Sequence, residues 1–395
     1  VTTSKEPTRA RPALLQQLGL GSVSLVVSLV LAEVAVRVLG LTDPAFREPD
    51  ELLGWRPVPG AHGRWRREGD ADVLITEHGF RGVAIAPGEP ARDTLRVALV
   101  GDSYIEARQV ALEATLGARL RGDLEACAES PVEVLAFGVS GYGTAQEYLL
   151  YRERVAAYHP DLVVLAFLSG NDVSDNHPAL QGEASGRPFF SVGADDALVL
   201  DAGFRETEAF RARADESGLS WLLGRSRLLR ALDAIGGHGD GAVRGELGLS
   251  DEVYAPPTNE TWADAWARTE SLVRHFARDV RDDGGRFAVV ALSNAIQVDP
   301  DPDVRERFRL AVHAQSLEYP EQRLAEAGAR DGYRVLALAP ILRAYAEAHD
   351  TQLHGFANTA MGTGHWNETG HAEASRALAR WLCAEGLAAA PERRR

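Results

Sequence analysis

Apolar runs at Leu95–Val100, Val132–Phe137, Leu162–Phe167, Arg286–Leu292 and Tyr333–Leu338 alternate along the chain with stretches of helical periodicity. The first and third, LRVALV and LVVLAF, are too apolar for either face to meet water, which predicts strands in the buried middle of a parallel sheet. Between the runs, helices are expected around Ala111–Cys127, Thr144–Ala157, Trp262–Asp282, Tyr319–Arg330 and Glu368–Leu387. Strands alternating with helices of this length imply a five-stranded parallel sheet between two helical layers, a three-layer α/β/α sandwich.

Two regions depart from this rhythm. From 173 to 261 the alternation lapses. There, Pro188–Val192 and Ala197–Leu200 flank Gly193–Asp196 as a hairpin, Ser220–Ile235 has a helical pattern, and Gly236–Gly241 suits a loop. An insertion at this point would overhang the carboxyl end of the third strand as a lid or substrate-selecting wall, or pass over the surface without a role. At the other end of the chain, Ala13–Ala32 has no charged residue, and Leu18–Leu39 is apolar apart from Ser, Gly, Glu33 and Arg37. About 20 such residues cross a bilayer. With no small-x-small cleavage site after Ala32, an uncleaved transmembrane helix is expected over a cleaved signal. Lys5, Arg9 and Arg11 before it place the N-terminus in the cytoplasm and the rest of the chain outside. The expected segments are a tail over 1–12, an anchor over 13–40, a membrane-proximal segment over 41–94 with a hairpin around Val73–Ile75 and a turn at His78-Gly79, and a main domain over 95–390.

The 395 residues are 45% hydrophobic, enough for a large core, and the net charge of −15 argues against nucleic acid as the main partner. No Cys/His spacing suggests a metal site.

Candidate chemistry gathers where strands end. Val100-Gly101-Asp102-Ser103 closes the first strand, Val139–Gly143 follows the second, Ser169-Gly170-Asn171-Asp172 follows the third, and His365-Trp366-Asn367 precedes the last helix. In open α/β sheets ligands bind outside the carboxyl ends of the strands. This ordered set resembles the four sequence blocks of the SGNH (GDSL-type) hydrolase superfamily, from about Leu95 to the last helix. The resemblance implies a flavodoxin-like sheet and no cofactor. It also implies Ser103 as nucleophile and His365 as base, with an oxyanion hole from the N–H groups of Ser103 and Gly141 and the amide of Asn171. Asp102 would brace the loop, and His371 would be structural.

The acid of such a triad usually lies two or three residues before the histidine, where this chain has Thr363 and Gly362. A backbone carbonyl, Asp175 or Asp350 would then orient His365, or the site would work as a weak dyad. The expected function is hydrolysis of esters on carbohydrate or cell-envelope glycans by a membrane-anchored, extracytoplasmic enzyme. An O-acyltransferase and an inactive glycan-binding or assembly protein are the alternatives. In a sheet of this order the first and last helices can share a face, so Cys127 and Cys383 are either bridged or two buried thiols.

Overall fold

A computed structural model describes residues 11–39, 45–91, 93–182, 185–214, 226–235 and 247–389. The expected positions of Lys5, Arg9 and the loop Gly236–Gly241 lie outside the described residues. In chain order the strands are β1 Arg47–Asp50, β2 Gly54–Pro57, β3 His62–Trp65, β4 Ala71–Leu74, β5 Leu95–Gly101, β6 Val132–Gly138, β7 Leu162–Phe167, β8 Phe189–Val192, β9 Leu198–Asp201, β10 Arg286–Ala291 and β11 Arg334–Ala337. The helices used below are α1 Arg11–Val38, α2 Leu116–Glu125, α3 Thr144–Leu150, α4 Ser169–Asp175, α5 Arg227–Ile235, α6 Glu260–Asp282, α7 Tyr319–Asp331, α8 Ala339–His349 and α9 Glu368–Ala384.

The central sheet runs β6-β5-β7-β10-β11, parallel throughout. The first strand therefore lies between the second and third, as expected of a flavodoxin-like sheet. Every residue of β5 and β7 is buried. Ala98 and Val100 face a core with Tyr148 of α3, Phe276 of α6 and Leu324 of α7, while Val97 and Leu99 face another with Leu120 of α2, Leu342 of α8 and Leu378 of α9. Both faces of the sheet are thus dry, which explains why these runs show no polar alternation.

Cys127, just past α2, and Cys383 of α9 are joined by a disulfide. Two local readings change. The helix expected over 144–157 is α-helical only to Leu150, then widens into a π turn at Tyr151–Val155 and tightens into a 3-10 turn at Ala156–Tyr158. Val73 does lie in a hairpin, but its partner is upstream: β3 pairs with β4, while His78-Gly79 forms a separate turn closed by Gly79 N donating to Thr76 O. The β8–β9 hairpin forms as expected and lies on α6, where Arg268 donates to Phe190 O at 2.7 Å and Asp196 pairs with Arg274. Those contacts make the hairpin a buttress of α6.

Residues 45–214 and 247–389, as far as described, form one compact unit. The described parts of the other unit are α1 and α5. Gly19–Val38 within α1 has a mean hydropathy of 2.1 and is long and apolar enough to cross a membrane.

Candidate active site

Strand β5 ends in a turn that exposes a hydroxyl. Asp102 caps the helical turn Ser103–Glu106, its Oδ1 accepting from the Tyr104 N–H at 2.9 Å, so Ser103 sits at the head of the turn just beyond the sheet. Asn367 plays the same part for α9, its Oδ1 accepting from the N–H groups of Thr369 and Gly370. That cap lies two residues after His365 and the helix starts at the next residue. The two ends meet: His365 Nε2 lies 2.8 Å from Ser103 Oγ.

The other face of the imidazole meets a carboxylate that the sequence reading did not name. Glu68 Oε2 lies 2.6 Å from His365 Nδ1, and Glu68 Oε1 accepts from the His365 backbone N–H at 2.7 Å. An ionised carboxylate only accepts, so it fixes the proton on Nδ1 and leaves the Nε2 lone pair for the serine hydroxyl. Burial pushes the Glu68 carboxyl up, but the hydrogen bonds and charge of His365 outweigh this and hold it below its usual range. Glu68 therefore stays charged where the site needs it.

Glu68 belongs to the turn between β3 and β4, 297 residues from His365 in sequence. Asn358 fastens that turn to the loop carrying the histidine, accepting from Gly69 N and donating to the carbonyls of Arg66 and Gly69. Gly364 makes room for the carboxylate. Its φ is +74°, and a Cβ there would stand 2.0 Å from Glu68 Oε1. A carboxylate, absent at 362 and 363, thus stands against His365 Nδ1 from this turn. Of the alternatives, Asp175 is paired with Arg187 at 2.8 Å and Asp350 ends α8.

Behind His365 a buried polar chain holds the loop. Trp366 Nε1 donates to Ser293 Oγ at 2.9 Å, Ser293 Oγ lies 3.2 Å from His354 Nε2, and His354 Nδ1 lies 2.7 Å from Gly364 O. Neutral His354 satisfies both ends by donating from Nδ1 and accepting at Nε2. Burial agrees, pulling its pKa down to about 4. His371 is equally enclosed, accepts from Leu116 N at 3.3 Å and is pulled down by burial to about 3. It is a neutral structural imidazole.

The expected oxyanion donors lie at the neighbouring strand ends. Gly141 has φ +80°, and the space where a Cβ would stand is 3.4 Å from the Trp55 ring. Asn171 lies in the first turn of α4, not in an open turn, and its Nδ2 is 3.4 Å from Asp102 Oδ2. Facing that carboxylate, the amide presents its NH2 end. Burial pushes the Asp102 carboxyl up, against the opposing pull of the Tyr104 N–H, the His365 charge and the Asn171 amide. From the insertion, Arg187 reaches the same corner and donates to Gly141 O at 3.2 Å.

No protein-family model matches the chain, and no curated protein matches it. Solved structures similar to it include a variant of an acetylxylan esterase from Geobacillus stearothermophilus, at 12% identity over 75% of this chain and 95% of that one, TM-score 0.38. An acetyl xylan esterase is 10% identical over 73% of this chain and 100% of its own, TM-score 0.37. A lipase/acylhydrolase from Enterococcus faecalis is 11% identical over 74% and 96%, TM-score 0.36.

Proposed function

We propose that the chain is a serine ester hydrolase working through an acyl-serine intermediate. The observation that carries this reading is the hydrogen-bonded line Ser103 Oγ, His365 Nε2, His365 Nδ1, Glu68 Oε2, with spacings of 2.8 and 2.6 Å. A serine hydroxyl is a weak nucleophile until a base takes its proton, and a base needs a third group to hold it in the useful tautomer. In the proposed reaction, Ser103 Oγ attacks the ester carbonyl carbon as its proton passes to Nε2. The carbonyl π electrons move to oxygen, where the N–H groups of Ser103 and Gly141 and the Asn171 amide would stabilise the charge. Collapse expels the alcohol, which takes the proton from His365. Water then repeats the sequence on the acyl-serine and releases the acid.

The Glu68 carboxylate at His365 Nδ1 supports the catalytic reading over the inactive one, which the missing acid had prompted. The proposed substrates are short acyl esters on an extracytoplasmic glycan, as the four-block resemblance implies. The proposed location is the outer face of a membrane, with α1 retained as a single-pass anchor. The Cys127–Cys383 bridge supports an oxidising compartment. The test is labelling with a fluorophosphonate probe, which reacts with activated serines. The full chain in detergent should label and Ser103→Ala should not; a folded parent that fails to label would overturn the proposal.

A further inference from the structure

A carboxylate inside an apolar span needs partners, and Glu33 of α1 has them. Glu33 Oε1 accepts from Arg37 Nε at 2.7 Å and from the backbone N–H of Arg227 at 2.9 Å. Its Oε2 accepts from Ser226 Oγ at 2.8 Å and from the Leu228 N–H at 2.9 Å. Ser226 Oγ in turn accepts from Leu229 N at 3.2 Å. The opening N–H groups of α5, which no turn of its own helix can satisfy, are thus capped by a side chain of α1.

Depth along α1 gives this contact a setting. The apolar stretch ends at Val38, five residues beyond Glu33. At 1.5 Å per residue, Glu33 lies about 7 to 8 Å inside the outer end of the span. Helices that lie in a membrane interface bury their apolar face about 5 to 10 Å into the headgroup and acyl boundary. Two leucines three residues apart on one side of α5, Leu229 and Leu232, are 40% and 55% exposed. Helical spacing puts Arg227 on the opposite side. The neighbouring surface of α1 is of the same kind, with Val30 and Val34 at least half exposed.

We propose that α5 is an interfacial membrane helix, pinned by Glu33 at the outer boundary of the bilayer, with Leu229 and Leu232 among the acyl chains beside the span. The partner is the lipid surface. The inference rests on the reading of α1 as a retained anchor. It makes part of the insertion a second membrane contact.

The test uses the full chain in phosphatidylcholine vesicles under non-reducing conditions. An environment-sensitive fluorophore is placed on Leu232→Cys or, separately, on Val23→Cys. Quenching by nitroxides carried shallow or deep on the lipid chains is compared with quenching by aqueous iodide. The expected result is shallow-lipid quenching at 232, deep-lipid quenching at 23, and loss of lipid quenching at 232 alone when Glu33→Ala is added. Iodide quenching at 232 with lipid quenching at 23 would overturn the interfacial helix and leave the anchor standing. Shielding of 232 from both quenchers would mean a protein cover and would also overturn it. Iodide quenching at both positions would overturn the anchor itself. Unchanged lipid quenching at 232 in the Glu33→Ala background would overturn the pin.

Discussion

Replacing Glu68 by glutamine keeps the size of the side chain and changes what it can offer. Its two oxygens face two donors, the His365 N–H at 2.7 Å and Nδ1 at 2.6 Å. An amide has one acceptor end. If its oxygen meets the backbone N–H, its NH2 faces Nδ1, forces the proton to Nε2 and blocks the serine. If it turns over, the NH2 confronts the backbone N–H. The lost charge adds to this. At an effective dielectric of about 20, suited to a partly buried pair, opposite charges roughly 4 Å apart are worth about 4 kcal/mol. That corresponds to about 10³ in rate, and a wrong tautomer in a serine protease triad costs about 10⁴. The expected loss in kcat/KM for Glu68→Gln is therefore about 10³ to 10⁴, carried by kcat, with Glu68→Asp intermediate because the shorter arm keeps the charge. Hydrolysis of p-nitrophenyl acetate by the detergent-solubilised full chain measures it, with thermal unfolding as the check on folding. Turnover by folded Glu68→Gln within about threefold of the parent, a difference below 1 kcal/mol, would refute Glu68 as the orienting acid.

Gly364→Ala should displace the Glu68 carboxylate and lower kcat towards the Glu68→Gln value, while the double variant should be little worse than either single one. Additive losses would show that the two positions act separately. Removing the disulfide through Cys127→Ser opens a loop with a sequence separation of 256. It should cost about 2 to 5 kcal/mol in denaturant unfolding while leaving kcat near the parent value, and unchanged stability would count against the bridge. His371 is held neutral to about pH 3, whereas an unfolded histidine protonates near 6.5. Between those values the unfolded state binds the extra proton, so this group's stabilisation is present above pH 6.5 and is lost as pH falls. His371→Asn keeps an acceptor for Leu116 N without titrating. Its stability should fall less steeply than the parent's between pH 6 and 4, by about 1.4 kcal/mol per pH unit; parallel slopes would sink the idea.

The sheet was legible because its inner strands are buried on both faces. Nothing polar interrupts Leu162–Phe167 and only the buried Arg96 interrupts Leu95–Val100, and the residues closing them are the ones that gather at the site. Ser103 and His365 were legible because each sits in a short contiguous block. Glu68 was not. It lies on a turn within a segment rich in Gly, Pro and charge, without periodicity, and its proposed role exists only through a contact with a residue 297 positions away. Its trace in the sequence is indirect: glycines at 362 and 364 where an acid and a side chain would be expected. The hairpin carrying Glu68 was half legible, since Val73 marked one strand and the other, His62–Trp65, has a half-exposed pattern. The helix α8 went unread, although Leu342 and Ala346 are four apart on its buried face.

The space beside Gly364 has an evolutionary consequence. A carboxylate at position 68 and a side chain at position 364 exclude each other, since both would occupy the same volume. A relative that regains an acid at 362 or 363 no longer needs Glu68, and once Glu68 is lost nothing holds position 364 to glycine except its backbone angle. Positions 68, 362 to 363 and 364 should therefore change as a set. Lineages with the acid beside the histidine would show drift at 68, and lineages with Glu at 68 would keep glycine at 364.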